Sequence, residues 1–227
     1  MGNKIERQME GEMEKSKKRR IAAGICSAGI ILLLSSCGYR TENPGELGKE
    51  TVGPYSLSVQ QKEILEAFGM KDTSCLLSFW GPKEAVSLHV RVYERREEGE
   101  MPDPAWKEAG GGSISLGQDP QAKDCLEGTV AMERKKDGGI EFHISSMGMV
   151  SFETEAVELE REPVISSWKF LQEPKEIQLE KEIPVAIMAY DSGSSMRSYS
   201  LEDYFEPSVF QGLDLVQAVT FTFSSEE

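Results

Sequence analysis

Val86-Ser87-Leu88-His89-Val90-Arg91-Val92-Tyr93 alternates apolar and polar side chains without a break. Successive side chains of a strand point to opposite faces, so this period of two predicts a β-strand with one buried face, formed by Val86, Leu88, Val90 and Val92. Ser87, His89, Arg91 and Tyr93 then face away from the core. Upstream, residues 75–80 are a short apolar run of strand length, and Gly81-Pro82 predicts a hairpin joining the two. Downstream, strands are predicted over 114–116, 126–134, 140–145, 150–154 and 156–160, with Asp137-Gly138-Gly139 as the strongest hairpin turn in the chain. Residues 165–171, 176–179, 184–190 and 216–224 continue the pattern.

Many short strands separated by turn residues predict a mainly β fold, an antiparallel β-sandwich. One helix interrupts it. Ser58-Val59-Gln60-Gln61 has the form of a capping box, Ile64, Leu65 and Phe68 share a helical face, and Gly69 stands where a glycine ends a helix, so a short N-terminal helix is expected over 59–68. A helical turn is expected from Ser200 to before Pro207. Residues 95–112 are charged and rich in Gly and Pro, which predicts a long surface loop.

Near the N-terminus, Lys17, Lys18, Arg19 and Arg20 precede an apolar segment of 14 residues, 21–34, which is followed by Ser35-Ser36-Cys37. That length falls short of the roughly 20 residues of a spanning helix and within the about 7 to 15 of a signal-peptide core. Leu34-Ser35-Ser36-Cys37 resembles the lipobox of bacterial lipoproteins. The resemblance implies cleavage before Cys37, a diacylglyceryl group on its sulfur, and a mature chain held at the extracytoplasmic face of the cell membrane. It makes residues 1–36 a signal peptide, with Met13 the more conventional start because Glu6, Glu10 and Glu12 are foreign to such a leader. Residues 37–54, rich in Gly, Pro, Glu, Thr and Asn, read as the lipidated cysteine and a flexible tether, and 55–227 as the folded domain. Beyond the lipobox, the layout resembles only uncharacterised lipoproteins of Gram-positive type and transfers no functional residue.

Residues 1–37 hold 7 of the 25 basic and 4 of the 39 acidic residues, which leaves 18 Lys and Arg against 35 Asp and Glu. Such a domain is repelled by nucleic acid and by anionic lipid, both of which need clustered Lys and Arg. Of the 4 cysteines, Cys75 and Cys125 are the pair available to the domain, either as a disulfide or as two separate buried thiols. No Cys/His spacing suits zinc, and no cofactor is expected.

Catalytic groups are sparse. His89 and His143 are the 2 histidines, both on the outward parity of predicted strands and neither beside a nucleophile elbow. The carboxylates Glu94, Glu97, Glu98, Glu100 and Asp103 crowd one loop, where a charge run reads as solvated surface. Met147 and Met149 share strand parity with His143, and with Met132 they form a thin Cu(I)-like set whose alternative is core filling. The tryptophans carry the better binding signal, because an exposed indole offers apolar area with a polar edge. Trp106 sits in the polar stretch Pro104-Ala105-Trp106-Lys107, whereas Trp80 and Trp168 continue apolar runs; Tyr199, Tyr204 and Phe205 could extend the same surface. The expected protein is therefore a non-enzymatic binding or accessory module, anchored in the membrane through Cys37, with a glycan or envelope protein as ligand. The alternatives are an envelope hydrolase using a carboxylate pair and a structural interaction module.

Overall fold

In the computed structural model the alternation around Val90 becomes a ten-residue strand, Ser87–Arg96, with Leu88, Val90 and Val92 fully buried. The structure describes residues 47–96, 106–116, 125–146, 148–157, 163–193 and 196–226, within one compact unit, Pro44–Glu227. Its elements in order are β1 (Thr51–Pro54), α1 (Val59–Ala67), β2 (Ser74–Trp80), β3 (Ser87–Arg96), β4 (Lys107–Ser115), β5 (Glu127–Arg134) and β6 (Ile140–Ser145). They continue with β7 (Met149–Glu153), β8 (Ile165–Phe170), β9 (Lys175–Glu176), β10 (Glu182–Asp191), 3-10 turns at Leu201–Phe205 and Pro207–Phe210, and β11 (Leu215–Ser224). Cys37, the segment 1–36 and Met147 lie outside the described residues.

The chain is mainly β, with two antiparallel sheets stacked as a sandwich. The first runs β7-β6-β5-β2-β1-β9 and the second β4-β3-β11-β10-β8. Phe79 of β2 and Phe223 of β11 meet across the interior with ring centroids 5.7 Å apart. The central strand β11 is buried on both faces. Its Leu215, Val219, Phe221 and Phe223 point toward the first sheet, while Val216, Ala218, Thr220 and Thr222 point outward beneath the segment 199–213, which lays Tyr199, Leu201, Tyr204 and Phe210 over them. This second apolar layer explains why β11 reads as a near-continuous run rather than an alternation.

Several elements form as their residues dictate. β6 occupies 140–145, and the Asp137 turn joins it to β5, with Arg134 opposite Ile140. Other expectations fail for physical reasons. Gly81-Pro82 does not close a hairpin: both edges of β2 are taken by β1 and β5, so the chain crosses to the other sheet before starting β3. The expected loop 95–112 is strand at both described ends, in β3 and β4. The glycines suit this place because Gly112 lies under the Phe152 ring, where a Cβ would stand 2.6 Å from ring carbons. The folded part, expected from residue 55, starts upstream of it, since β1 pairs with β2 and β9 and buries Val52. The strand expected over 156–160 is not formed in its described part, where Val157 N–H donates to the Asp137 carbonyl at 2.9 Å. The one expected over 176–179 shrinks to the two residues of β9.

Cys75 and Cys125 carry free thiols. Cys75 stands opposite Met132, and Cys125 precedes the point where Glu127 meets Trp80, at the far end of the same ladder. Five residues of strand separate the Cys75 level from the end of that ladder, roughly 17 Å against the about 7 Å that a disulfide tolerates between Cα atoms. The bridge is therefore replaced by the alternative of two separate thiols, and burial pushes the Cys75 thiol up to about 12.

Candidate functional site

The three tryptophans do not share a surface. Trp106 is half-buried at the start of β4, stacked on Tyr204 at 5.3 Å with Phe210 edge-on at 5.7 Å, and its Nε1–H donates to the Tyr204 carbonyl at 2.9 Å. It belongs to the layer over the second sheet, so the polar sequence around it concealed a packed ring. Trp168 lies on the inward parity of β8, with the Arg134 guanidinium 4.5 Å above its ring. Trp80 ends β2 on the outward face of the first sheet, half-buried. The histidines are equally apart. His89 Nε2 lies 3.1 Å from Ser87 Oγ, but Ser87 is 1% exposed and its hydroxyl donates to the Glu226 carbonyl, which closes off a nucleophile. His143 faces Ala131 while Met132 faces Phe142, so register puts them on opposite faces of the sheet and splits the copper set. Among the described residues no three His, Cys, Asp or Glu gather as a metal site.

Beneath the 199–213 segment, Tyr93 and Tyr204 both donate to the Glu182 carboxylate, at 2.6 and 2.8 Å. Burial, then the Glu182 carboxylate, pushes the Tyr93 phenol up to about 12 and raises Tyr204 as well. The sign follows from linkage: both phenols are harder to ionise folded than unfolded, so their contribution is complete below the unfolded value near 10 and is lost as pH climbs toward 12. Unfolding free energy is expected to start falling near pH 9, where the Cys75 thiol ionises in the unfolded chain, and to fall more steeply between pH 10 and about 12, with the steeper part reduced in Tyr93→Phe. Denaturant titrations across that range check it.

A wider opening lies elsewhere. α1 is started by Ser58, whose Oγ accepts from Gln61 N–H while Gln61 Oε1 accepts from Ser58 N–H, and ended past Phe68 by Gly69 at φ +70°. The caps match the sequence reading, but the packing does not. No α1 side chain is buried, and Val59, Ile64 and Phe68 remain 73%, 55% and 75% exposed. Between α1 and the outward face of the first sheet runs a groove of about 560 Å³, walled by Leu57, Ile64, Leu65 and Met70 and floored by Leu76 and Ala131. Leu76, Ala131 and His143 form one cross-strand row over β2, β5 and β6. The methyl of Ala131 in the middle of that row leaves the space.

Polar groups occupy the groove's rim. Lys62, Lys71, Glu133 and His143 line it. Lys71 is paired with Glu66 at 3.0 Å, which raises the Lys71 pKa through the hydrogen bond. His143 bonds Ser151 Oγ at 2.7 Å and lies 3.3 Å from Glu141. Glu141 also takes Lys135, whose hydrogen bond holds its carboxyl below the usual range. These partners fix the rim, while the interior offers apolar contact. Sequence reasoning missed this site. The signal was present in Ile64, Leu65 and Phe68 on one helical face, but Ala131 of the floor comes from a strand about 60 residues downstream of α1. No family model matches this chain, and no curated protein or solved structure matches it.

Proposed function

We propose that this protein is a lipid-anchored, extracytoplasmic lipoprotein whose β-sandwich is a non-enzymatic binding module, with the groove beneath α1 as its ligand site. The observation that carries the binding role is the groove itself: about 560 Å³, apolar within and polar at the rim, the size and chemistry of small-ligand sites. The anchoring role rests on Leu34-Ser35-Ser36-Cys37 behind a basic cluster and a 14-residue apolar segment. A second acyl chain turns marginal membrane attachment into stable attachment, so the domain surface need not bind the bilayer itself. The acidic balance argues against nucleic acid as a partner. The glycan reading loses its support at Trp106, whose ring is taken up by Tyr204 and Phe210, and the binding surface moves to the groove.

Cys37→Ala is the direct test of the anchor. In a bacterial host, incorporation of an alkyne-tagged palmitate is expected to vanish and the chain to accumulate unprocessed. Label retained in Cys37→Ala would overturn the reading.

A further inference from the structure

Given that reading, on which the following rests, the groove's occupant can be narrowed by shape, chemistry and position. Four residues of α1, Gln61, Lys62, Ile64 and Leu65, line the opening, and its apolar walls carry no buried hydrogen-bonding side chain directed at a sugar or peptide among the described lining residues. A ligand that fits must be apolar along its length and polar at one end, with its head near Lys62 at the rim. The exposed Val59 on α1, Phe68 at its C-terminal cap and Met149 on the edge strand β7 extend apolar surface outside the groove.

Chain length supplies the position. Tyr55 N–H donates to the carbonyl of Leu76, a floor residue, at 2.9 Å. Tyr55 is 18 residues from Cys37, so the groove stands no more than roughly 60 Å from an anchor on that residue even with the chain fully extended. Tethering of this kind holds the site at high effective concentration of whatever the membrane presents. The amphiphile most abundant within that radius is the bilayer's own lipid.

We infer that the groove takes up one acyl chain of a membrane phospholipid. Leu57, Ile64, Leu65 and Leu76 contact the chain, Ala131 leaves room for it, and Lys62 stands beside the phosphate. Moving an acyl chain from bilayer to groove exchanges one apolar surrounding for another, so the transfer is near balance and suits reversible handling of lipid rather than permanent storage.

The test uses the unit 44–227, which contains the whole described core and lacks Cys37, so the result speaks to the groove and not to the anchor. Donor vesicles of zwitterionic phosphatidylcholine carrying pyrene-labelled phosphatidylcholine are mixed with the protein, and loss of excimer emission reports uptake. Saturation near one lipid per chain is expected. Ala131→Trp, which fills the floor, should weaken uptake at least tenfold. Ile64→Asp, an exposed wall position that cannot disturb the core, should do the same and keeps the test decisive should Ala131→Trp fail to fold. Val164→Ser, exposed and away from the groove, should leave uptake unchanged. No uptake by the parent unit, or uptake unaltered by both groove variants, overturns the proposal. Binding of free palmitate without extraction from vesicles also overturns it, by assigning the groove to a free fatty acid. Alkyne-palmitate labelling of the full chain fails or succeeds independently, so a lost anchor and a lost lipid site are told apart.

Discussion

Phe221→Ala is expected to lower the unfolding free energy by about 3–5 kcal/mol, the usual loss for truncating a fully enclosed aromatic side chain. Phe221 is 0% exposed on β11, the middle strand of the second sheet, with Val90 of β3 on one side and Ile183 of β10 on the other. Its ring projects toward the first sheet, in the same row of the core as Phe223, which packs on Phe79. Both neighbouring strands are pinned by long antiparallel ladders, so the surroundings have little freedom to collapse into the cavity, and the loss should fall in the upper part of that range. Domains of this size have total stabilities of about 5–15 kcal/mol, so the variant would retain only part of its folded population on warming. Urea unfolding of 44–227, followed by tryptophan fluorescence, checks it. A loss under about 1.5 kcal/mol would mean that the two sheets are less closely packed than described.

Gly128→Val should cost about 3 kcal/mol, at the top of the range for overpacking. A Cβ on Gly128 would overlap the backbone carbonyl oxygen of Ser145 and come within 3.0 Å of the Phe79 ring. One obstacle is backbone in the partner strand and the other is a core aromatic, so no side-chain rotation relieves both. The β5–β6 ladder would have to open at its Thr129–Ser145 end. Those two strands also carry Ala131 and His143, so groove binding should fall together with stability. Hydrogen exchange would show lost protection at residues 142–145 first. Unchanged protection there would contradict the assigned register.

Both substitutions depend on which strands are neighbours, and that is where sequence reading was weakest. β3, β5, β6, β8, β10 and β11 were legible because each carries a local signal, either alternation or a run of β-branched and aromatic residues between turn formers. The capping box at Ser58 and the Asp137 turn were legible for the same reason: partners three or four residues apart decide them. β1 was not, because Val52 is one of only a few large apolar residues in a stretch whose Gly, Pro and Glu read as tether, and only pairing with β2 and β9 makes it a strand. β4 was hidden by three consecutive glycines that make sense once Thr154, the Val90 carbonyl and the Phe152 ring are seen to lie against Gly110, Gly111 and Gly112 in turn. Trp106 was misjudged because Tyr204 and Phe210, which enclose it, lie about a hundred residues away.

By itself, the sequence determined the class: mainly β, an antiparallel sandwich with one capped helix, an acidic surface, and an N-terminal segment resembling a lipoprotein leader. Periodicity, turn chemistry and net charge are local or additive properties, so they survive without knowledge of the fold. Only the tertiary structure decided that β2 and β3 belong to different sheets, that Cys75 and Cys125 stay apart, and that α1 hovers over a small alanine in the middle of a sheet face. Strand neighbours are chosen by the joint burial of residues far apart in the chain, and a groove is the volume those residues leave unfilled, a quantity no single segment contains.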